Sequence, residues 1–428
     1  MSPRKAAARP APKAKTAVDS KAVQACLPRH TWEFKARFRH RAFGWKSQPA
    51  IKRVKEAVAE IKKVARKDQV LAAEGAVLFL ERLAPALEQV DSSSGAIGTA
   101  VNNAISALAA IIGAAPAKGS TREQWLDRLF QAHADDQVPY IELLANYWGE
   151  LCASSALASR WADELLAPTR MALGSDKSLR GHFHGTPACL TALYAAGRYE
   201  DLLDLLKDES FWPYKRWAVK ALAAQGRKAA AIQLAESSRG RWASNLDIDR
   251  LCEELLLSSG LVEEAYARYG LNANRASTFA GWFRAVCKKY PDRQEATVLT
   301  DLVAQTPQEE GKWFAAAKGA KLYDQAIALA NRTPCDPKTL TRAARDFEHS
   351  NAPFALEAGM TALRWLVEGY GYEITSLDVL AAYRHTLQAA ENAGRVEATL
   401  VRIRELVASE TFGERFVTKV LGAQLGLR

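Results

Sequence analysis

The chain has 428 residues, 48% hydrophobic and 25% charged, which is the balance of a folded protein and excludes wholesale disorder. At about two to three times the length of an ordinary domain it can bury a large core without disulfides or metals. The net charge of +10 is held unevenly: residues 1–67 carry 19 Lys and Arg against four acidic residues, and the remainder carries 39 basic against 44 acidic. An arm this basic, attached to a slightly acidic body, points to an acidic partner for the arm, with nucleic acid first and acidic protein or an anionic membrane surface after it.

Residues 1–28 are an Ala/Pro/Lys-rich basic tail, a composition that cannot bury enough apolar surface to order itself, and a disordered tail is expected. With no apolar stretch in residues 1–31, a secretory signal is not expected. An organellar transit peptide stays open as a minor alternative, since basic residues precede the first acid at Asp19. Residues 29–49 interleave basic and aromatic side chains. Arg29, Trp32, Lys35, Arg37, Arg39, Arg41, Trp45 and Lys46 are the candidate nucleic-acid contacts, the cations neutralising phosphate and the rings stacking on unpaired bases. The competing reading has the aromatics of this arm anchoring it to the body while the charges face water.

From Pro49 onward the hydrophobic period is helical. In the N-terminal helical region, residues 50–175, Val54, Val58, Ile61 and Ala65 form one stripe, and Val70, Val77, Leu78, Leu80, Leu83 and Leu87 a second. The longest weakly polar stretch, Ala104–Ala115, is too short for a membrane span, so no transmembrane segment is expected. Ser120 with Glu123, Thr306 with Glu309, and Thr411 with Glu414 have capping-box spacing. Thr306-Pro307 and Asp336-Pro337 place proline at a first helical position. No segment alternates as a strand should, and the fold class is all-α.

Residues 176–428 contain an internal repeat. Anchors at Gly197, Gly226, Gly260, Lys321 and Gly394 are spaced by 29, 34, 61 and 73 residues, one helical hairpin for the first two intervals and two for the others. Each unit reads as an apolar helix, a left-handed C-cap, and a second helix that in four of the five opens on acids: Glu200 and Asp201, Glu263 and Glu264, Asp324, Glu397. Five residues past each anchor comes Leu202, Ala231, Ala265, Ala326 or Thr399, followed by a larger residue in most units, which lets the two helices approach and interlock. The pattern resembles the tetratricopeptide and Sel1-like class of α-hairpin repeats over roughly residues 186–410. The resemblance implies a right-handed α-solenoid whose concave face binds peptides or protein surfaces.

Motifs of catalysis are missing: there is no H-E-x-x-H, no G-x-S-x-G and no phosphate loop. His182 and His184 lack further ligands at a recognised spacing and read as incidental. The six cysteines (Cys26, Cys152, Cys189, Cys252, Cys287, Cys335) are scattered and read as buried apolar residues in a reducing compartment, which gives a cytoplasmic address. No metal or cofactor is expected. The segment Trp212-Pro-Tyr-Lys-Arg-Trp217 supplies candidate partner-binding residues Trp212, Tyr214, Arg216 and Trp217, against the alternative that its rings pack into the preceding hairpin. The expectation is a non-catalytic protein–protein interaction scaffold. The alternative is a nucleic-acid-associated subunit whose arm touches DNA or RNA phosphates, and an enzyme on a helical scaffold ranks third.

Overall fold

The computed structural model describes residues 30–174, 181, 183–240 and 244–427. The predicted disordered tail, Arg29 and His182 lie outside the described residues. Among those described there is no β-strand, as the hydrophobic period requires. The chain divides into two units, one ending at Glu209 and the other beginning at Ser210.

The first unit comprises α1 (Glu33–Arg37), α2 (Ser47–Ala65), α3 (Gln69–Leu87), α4 (Ala96–Ala114), α5 (Gly119–Ala134), α6 (Trp148–Cys152), α7 (Ser155–Leu173), α8 (Thr186–Ala195) and α9 (Tyr199–Leu205). Helices α2, α3 and α4 pack against one another through the predicted stripes, with Val54, Ile61, Val77, Leu80, Leu83 and Leu87 all buried. Helix α5 is clasped to α3 by Arg128, which reaches Glu74 at 2.7 Å and Glu81 at 2.6 Å. The apolar run of α4 begins at Ala96, eight residues earlier than expected, which makes α4 long and apolar enough by length and composition to cross a membrane. Here its Ile97, Val101, Ile105, Leu108 and Ile112 face α2, α3 and α6, while Asn102, Asn103 and Ser106 face outward.

The second unit runs α10 (Trp212–Ala224), α11 (Lys228–Ser237), α12 (Asn245–Leu257), α13 (Val262–Ala265), α14 (Leu271–Ala273), α15 (Phe279–Lys289), α16 (Glu295–Ala304), α17 (Phe314–Gly319), α18 (Tyr323–Arg332), α19 (Pro337–Phe347), α20 (Ala352–Val367), α21 (Ser376–Asn392), α22 (Val396–Ala408) and α23 (Phe416–Leu425). A π-helical turn, Tyr266–Gly270, joins α13 to α14.

All five predicted anchors adopt the left-handed conformation, with φ of 75° at Gly197, 79° at Gly226, 74° at Gly260, 60° at Lys321 and 65° at Gly394. Each closes its helix by the same pair of backbone bonds. At Gly226, for example, its N–H donates to Ala223 O (3.0 Å) and that of Arg227 to Leu222 O (2.9 Å), the Schellman arrangement that satisfies two orphan carbonyls. A sixth turn of this kind, at Gly369, went unrecognised in the sequence. The residue five past each predicted anchor is buried in all five units.

The three proposed capping boxes are not formed. Helix α5 starts at Gly119, which puts Ser120 inside it, and Glu123 pairs with Arg160 at 2.8 Å instead. Thr306 follows α16: its hydroxyl donates to Leu302 O (3.2 Å) and accepts from Trp313 Nε1 (2.7 Å), so it ends one helix and does not begin another. Before α23 the capping carboxylate is Glu410, which accepts from the N–H groups of Val417 (2.9 Å) and Thr418 (2.6 Å), while Glu414 pairs with Lys419. The Asp336-Pro337 start does form, Asp336 accepting from Thr339 N at 2.9 Å, and a capping box appears at Thr375 with Asp378.

Lys321 holds a φ that costs an L-residue about 1–2 kcal/mol. Lys321→Gly is therefore expected to raise the unfolding free energy of the second unit, read by urea titration, and Gly226→Ala to lower it, each by about 1 kcal/mol. Equal midpoints for Lys321→Gly and the parent chain would contradict this account.

Candidate partner-binding surfaces

The N-terminal arm is ordered from His30 onward and strapped to the first unit. Trp32 (6% exposed), Phe34 and Phe38 are buried, with Phe34 and Phe38 ring centroids 5.4 and 4.9 Å from that of Phe79. Trp32 fills a notch that exists because residue 75 is glycine: a Cβ there would lie 2.1 Å from the indole. Backbone bonds from Arg41 N to Pro85 O and from Asp91 N to Trp45 O, both 2.9 Å, complete the strap. The Glu60 carboxylate accepts from the N–H groups of Glu33 (2.8 Å) and Phe34 (3.2 Å) at the start of α1. Trp32 thus belongs to the core and is removed from the candidate base-stacking residues. Of the arm's Phe and Trp rings, Trp45 alone stays largely open, at 73% exposed.

The arm's cations divide into two sets. Arg37 pairs with Glu33 and Glu56, and Arg41 with Glu88 at 2.8 Å, which lowers the pKa of Glu88 first through that hydrogen bond. Lys35, Arg39 and Lys46 are exposed and, among the described residues, not ion-paired. They are followed along the chain by Lys52, Lys55, Lys62, Lys63, Arg66 and Lys67 on and just beyond α2, all exposed and, among the described residues, without a salt bridge, though Lys52 acts on Glu56 through its charge. Every acid between residues 30 and 67 (Glu33, Glu56, Glu60) is engaged within the arm and α2. The result is a surface on α1 and α2 with cations in excess, its three acids Glu33, Glu56 and Glu60 gathered beside Arg37, Arg53 and Lys63.

Trp212 and Trp217 are buried in α10, so the aromatic segment is chiefly a packing element. Tyr214 and Arg216 remain half-buried. The Arg216 guanidinium and the Lys220 ammonium lie 5.7 and 4.5 Å from the Trp217 ring centroid, where cations meet the electron-rich ring face. Burial pushes the pKa of both cations down. Two of the four candidate partner-binding residues therefore present little surface to a partner.

A groove the sequence did not reveal lies between α19 and α21, with Leu366 of α20 at its floor and a volume of about 490 Å³. Lys338, Arg342 and Arg345 line one side at helical spacing, and Arg384 and His385 the other. Both carboxylates in its lining are occupied: Asp336 caps α19, and Asp378 closes the α21 capping box, accepting from Thr375 N at 2.8 Å. Among the described residues Arg342 donates to Lys338 O (3.2 Å) and the Thr339 hydroxyl (3.0 Å) alone, and Arg384 to the His385 ring (3.3 Å). His385 is held from its other nitrogen by Glu348 at 2.9 Å.

The densest ionisable cluster surrounds the π-helical turn and satisfies itself. Buried Glu253 accepts from Tyr290 and from Asn274, both at 2.6 Å, Tyr266 donates to Asp301 (2.7 Å), and Tyr269 donates to Glu236. Burial first, and then these hydrogen bonds, raise the pKa of Tyr266, Tyr269 and Tyr290. The described cysteines are free, and burial pushes Cys152 and Cys335 up to about 12 and Cys189, Cys252 and Cys287 to about 11, the reverse of thiolate activation. Among the described residues no three His, Cys, Asp or Glu gather as a metal site would require; His184 lies beside His133, whose Nε2 is 3.2 Å from His184 O.

Two outcomes follow from this geometry. Gly75→Ala must evict the Trp32 ring, and trypsin is expected to cut after Lys35, Arg37 and Arg39 faster than in the parent chain while the remainder of the first unit resists. The tyrosines have folded-state pKa values above the unfolded value of about 10, so the fold favours their neutral form; that stabilisation is present below pH 10 and is lost as pH rises beyond it. The urea midpoint of the second unit should hold up to about pH 10 and fall above it, and Tyr290→Phe should flatten that fall.

No protein-family model matches this chain, and no curated protein matches it.

Proposed function

We propose that the protein is a non-catalytic interaction scaffold in which stacked α-hairpins of the tetratricopeptide and Sel1-like kind continue as a right-handed solenoid and present side chains to a protein partner. The observation that carries this reading is the recurrence of one closure, a left-handed cap with two backbone bonds, at Gly197, Gly226, Gly260, Lys321 and Gly394. A hairpin built this way cannot bury its own face, so hairpins stack and leave a long surface for binding. A cytoplasmic address fits the free, buried thiols, which are the habit of a reducing compartment. The raised thiol pKa values add support for a role without covalent catalysis.

A second reading, a nucleic-acid-associated subunit, is favoured by one observation: the cationic face from Lys35 to Lys67, whose only acids are already paired. Phosphate neutralisation there would release counterions and make binding fall steeply with salt.

Affinity purification of the full chain, with and without nuclease, separates the two. The scaffold reading expects stoichiometric protein partners that survive nuclease, and Lys52→Glu with Lys55→Glu leaves them in place. If everything captured departs with the nucleic acid, and that double variant abolishes capture, the second reading replaces the first.

A further inference from the structure

We propose that the groove between α19 and α21 is a docking site for an acidic peptide segment carrying an apolar anchor, a proposal that rests on the scaffold reading and names its partner chemistry. Charge makes the first argument. Lys338, Arg342, Arg345 and Arg384 converge on one concavity, and the two carboxylates beside them are spent on capping helices. Lys338 reaches Asp378 only at 3.7 Å and otherwise donates to Glu373 O at 3.0 Å. Arg345 has only the exposed pair with its neighbour Asp346, a kind worth little in water. Among the described residues Arg342 and Arg384 have no carboxylate partner, so two guanidinium forks line the groove with donors to spare.

Shape and apolar surface make the second argument. The groove volume of about 490 Å³ suits a few side chains of a peptide. Its floor is Leu366, Ala381 and Pro337, so it offers apolar contact beneath a cationic rim. In the loop after Gly369, a Cβ on Gly371 would come within 3.4 Å of Pro337, which places the loop near the groove, and Tyr372 (80% exposed) in that loop and Leu377 just after it stand in solvent. Carboxylates match the planar guanidinium fork two bonds at a time, and an apolar side chain would take the floor.

These features favour a peptide over a nucleic acid. The cations are confined to one concavity, which suits a short acidic segment, whereas those on and before α2 are strung along a helix as a continuous phosphate backbone would need.

Fluorescence anisotropy of the full-length chain tests this with a fluorescein-labelled peptide of sequence Asp-Glu-Leu-Asp-Glu-Phe-Asp-Glu, its Asn/Gln counterpart, and a fluorescein-labelled oligothymidylate. The acidic peptide is expected to bind, its amide counterpart at least tenfold more weakly. Arg342→Glu with Arg384→Glu, both exposed and structurally undemanding, should weaken the acidic peptide at least tenfold with an unchanged circular dichroism spectrum and thermal midpoint. Arg342→Lys with Arg384→Lys should keep part of the affinity, and Lys52→Glu with Lys55→Glu should leave it intact. No binding by the parent chain, binding indifferent to Arg342 and Arg384, or an oligonucleotide that competes for this groove would each overturn the proposal. The nuclease-split purification keeps the two inferences apart. Partners retained by the Arg342→Glu, Arg384→Glu chain would sink the groove and leave the scaffold standing. Peptide binding without any nuclease-resistant partner would do the reverse.

Discussion

The left-handed cap at the end of each hairpin's first helix is the constraint on which the repeated hairpins are built, the one at Gly197 in the first unit and the others in the second. One residue with φ near +60° to +80° lets the chain reverse while two backbone N–H groups satisfy carbonyls that would otherwise be stranded. The reversal brings a second helix back along the first, and acids in its opening turn meet the positive end of the helix dipole. Five residues on, a buried position sets how closely the pair can approach, small in three of the five units. That the cap survives at Lys321, where a side chain must bear the strain, indicates that the closure is imposed by the packing around it as much as by glycine.

The N-terminal part of the first unit depends on a different device. Its arm is chemically two-sided: rings at 32, 34 and 38 enter the core beside Phe79, and the cations between them point to solvent. Aromatic burial holds the arm, and the absent Cβ of Gly75 decides where the largest ring goes. With the arm's few acids engaged in capping α1 and in pairs with Arg37 and Arg53, the surplus charge has nowhere to be neutralised within the described residues of the arm and α2. Anchoring and charge display are therefore one arrangement, and the interleaved sequence serves both.

Polar groups in the second unit follow a related economy. Around the π-helical turn every buried carboxylate finds tyrosine, asparagine or arginine, so the cluster stabilises the unit and offers little to a ligand. Between α19 and α21 the acids are consumed by helix starts and the guanidiniums are left over. The same residue types thus form a closed network in one place and an open groove in another, according to whether their partners are already taken.

The helical class, the hairpin junctions and the acid-opened second helices could be read from the amino-acid order because each depends on interactions within about ten residues along the chain: period, cap and dipole. The capping boxes at Ser120, Thr306 and Thr411 misled because a spacing of hydroxyl and carboxylate says nothing of where a helix begins, and the deciding partners, Arg160, Trp313 and Glu410, came from other segments or from the helix end before. The burial of Trp32 was undecidable from the arm alone, since it needed a glycine more than forty residues away. The α19–α21 groove was invisible for the same reason: Arg342 and Arg384 share no local motif and line one groove only because α19 and α21 pack side by side against α20. Local order along the chain determined the elements and their turns; contact between distant elements decided which aromatic rings are core and which charges remain unpaired, because burial and pairing are properties of neighbours in space.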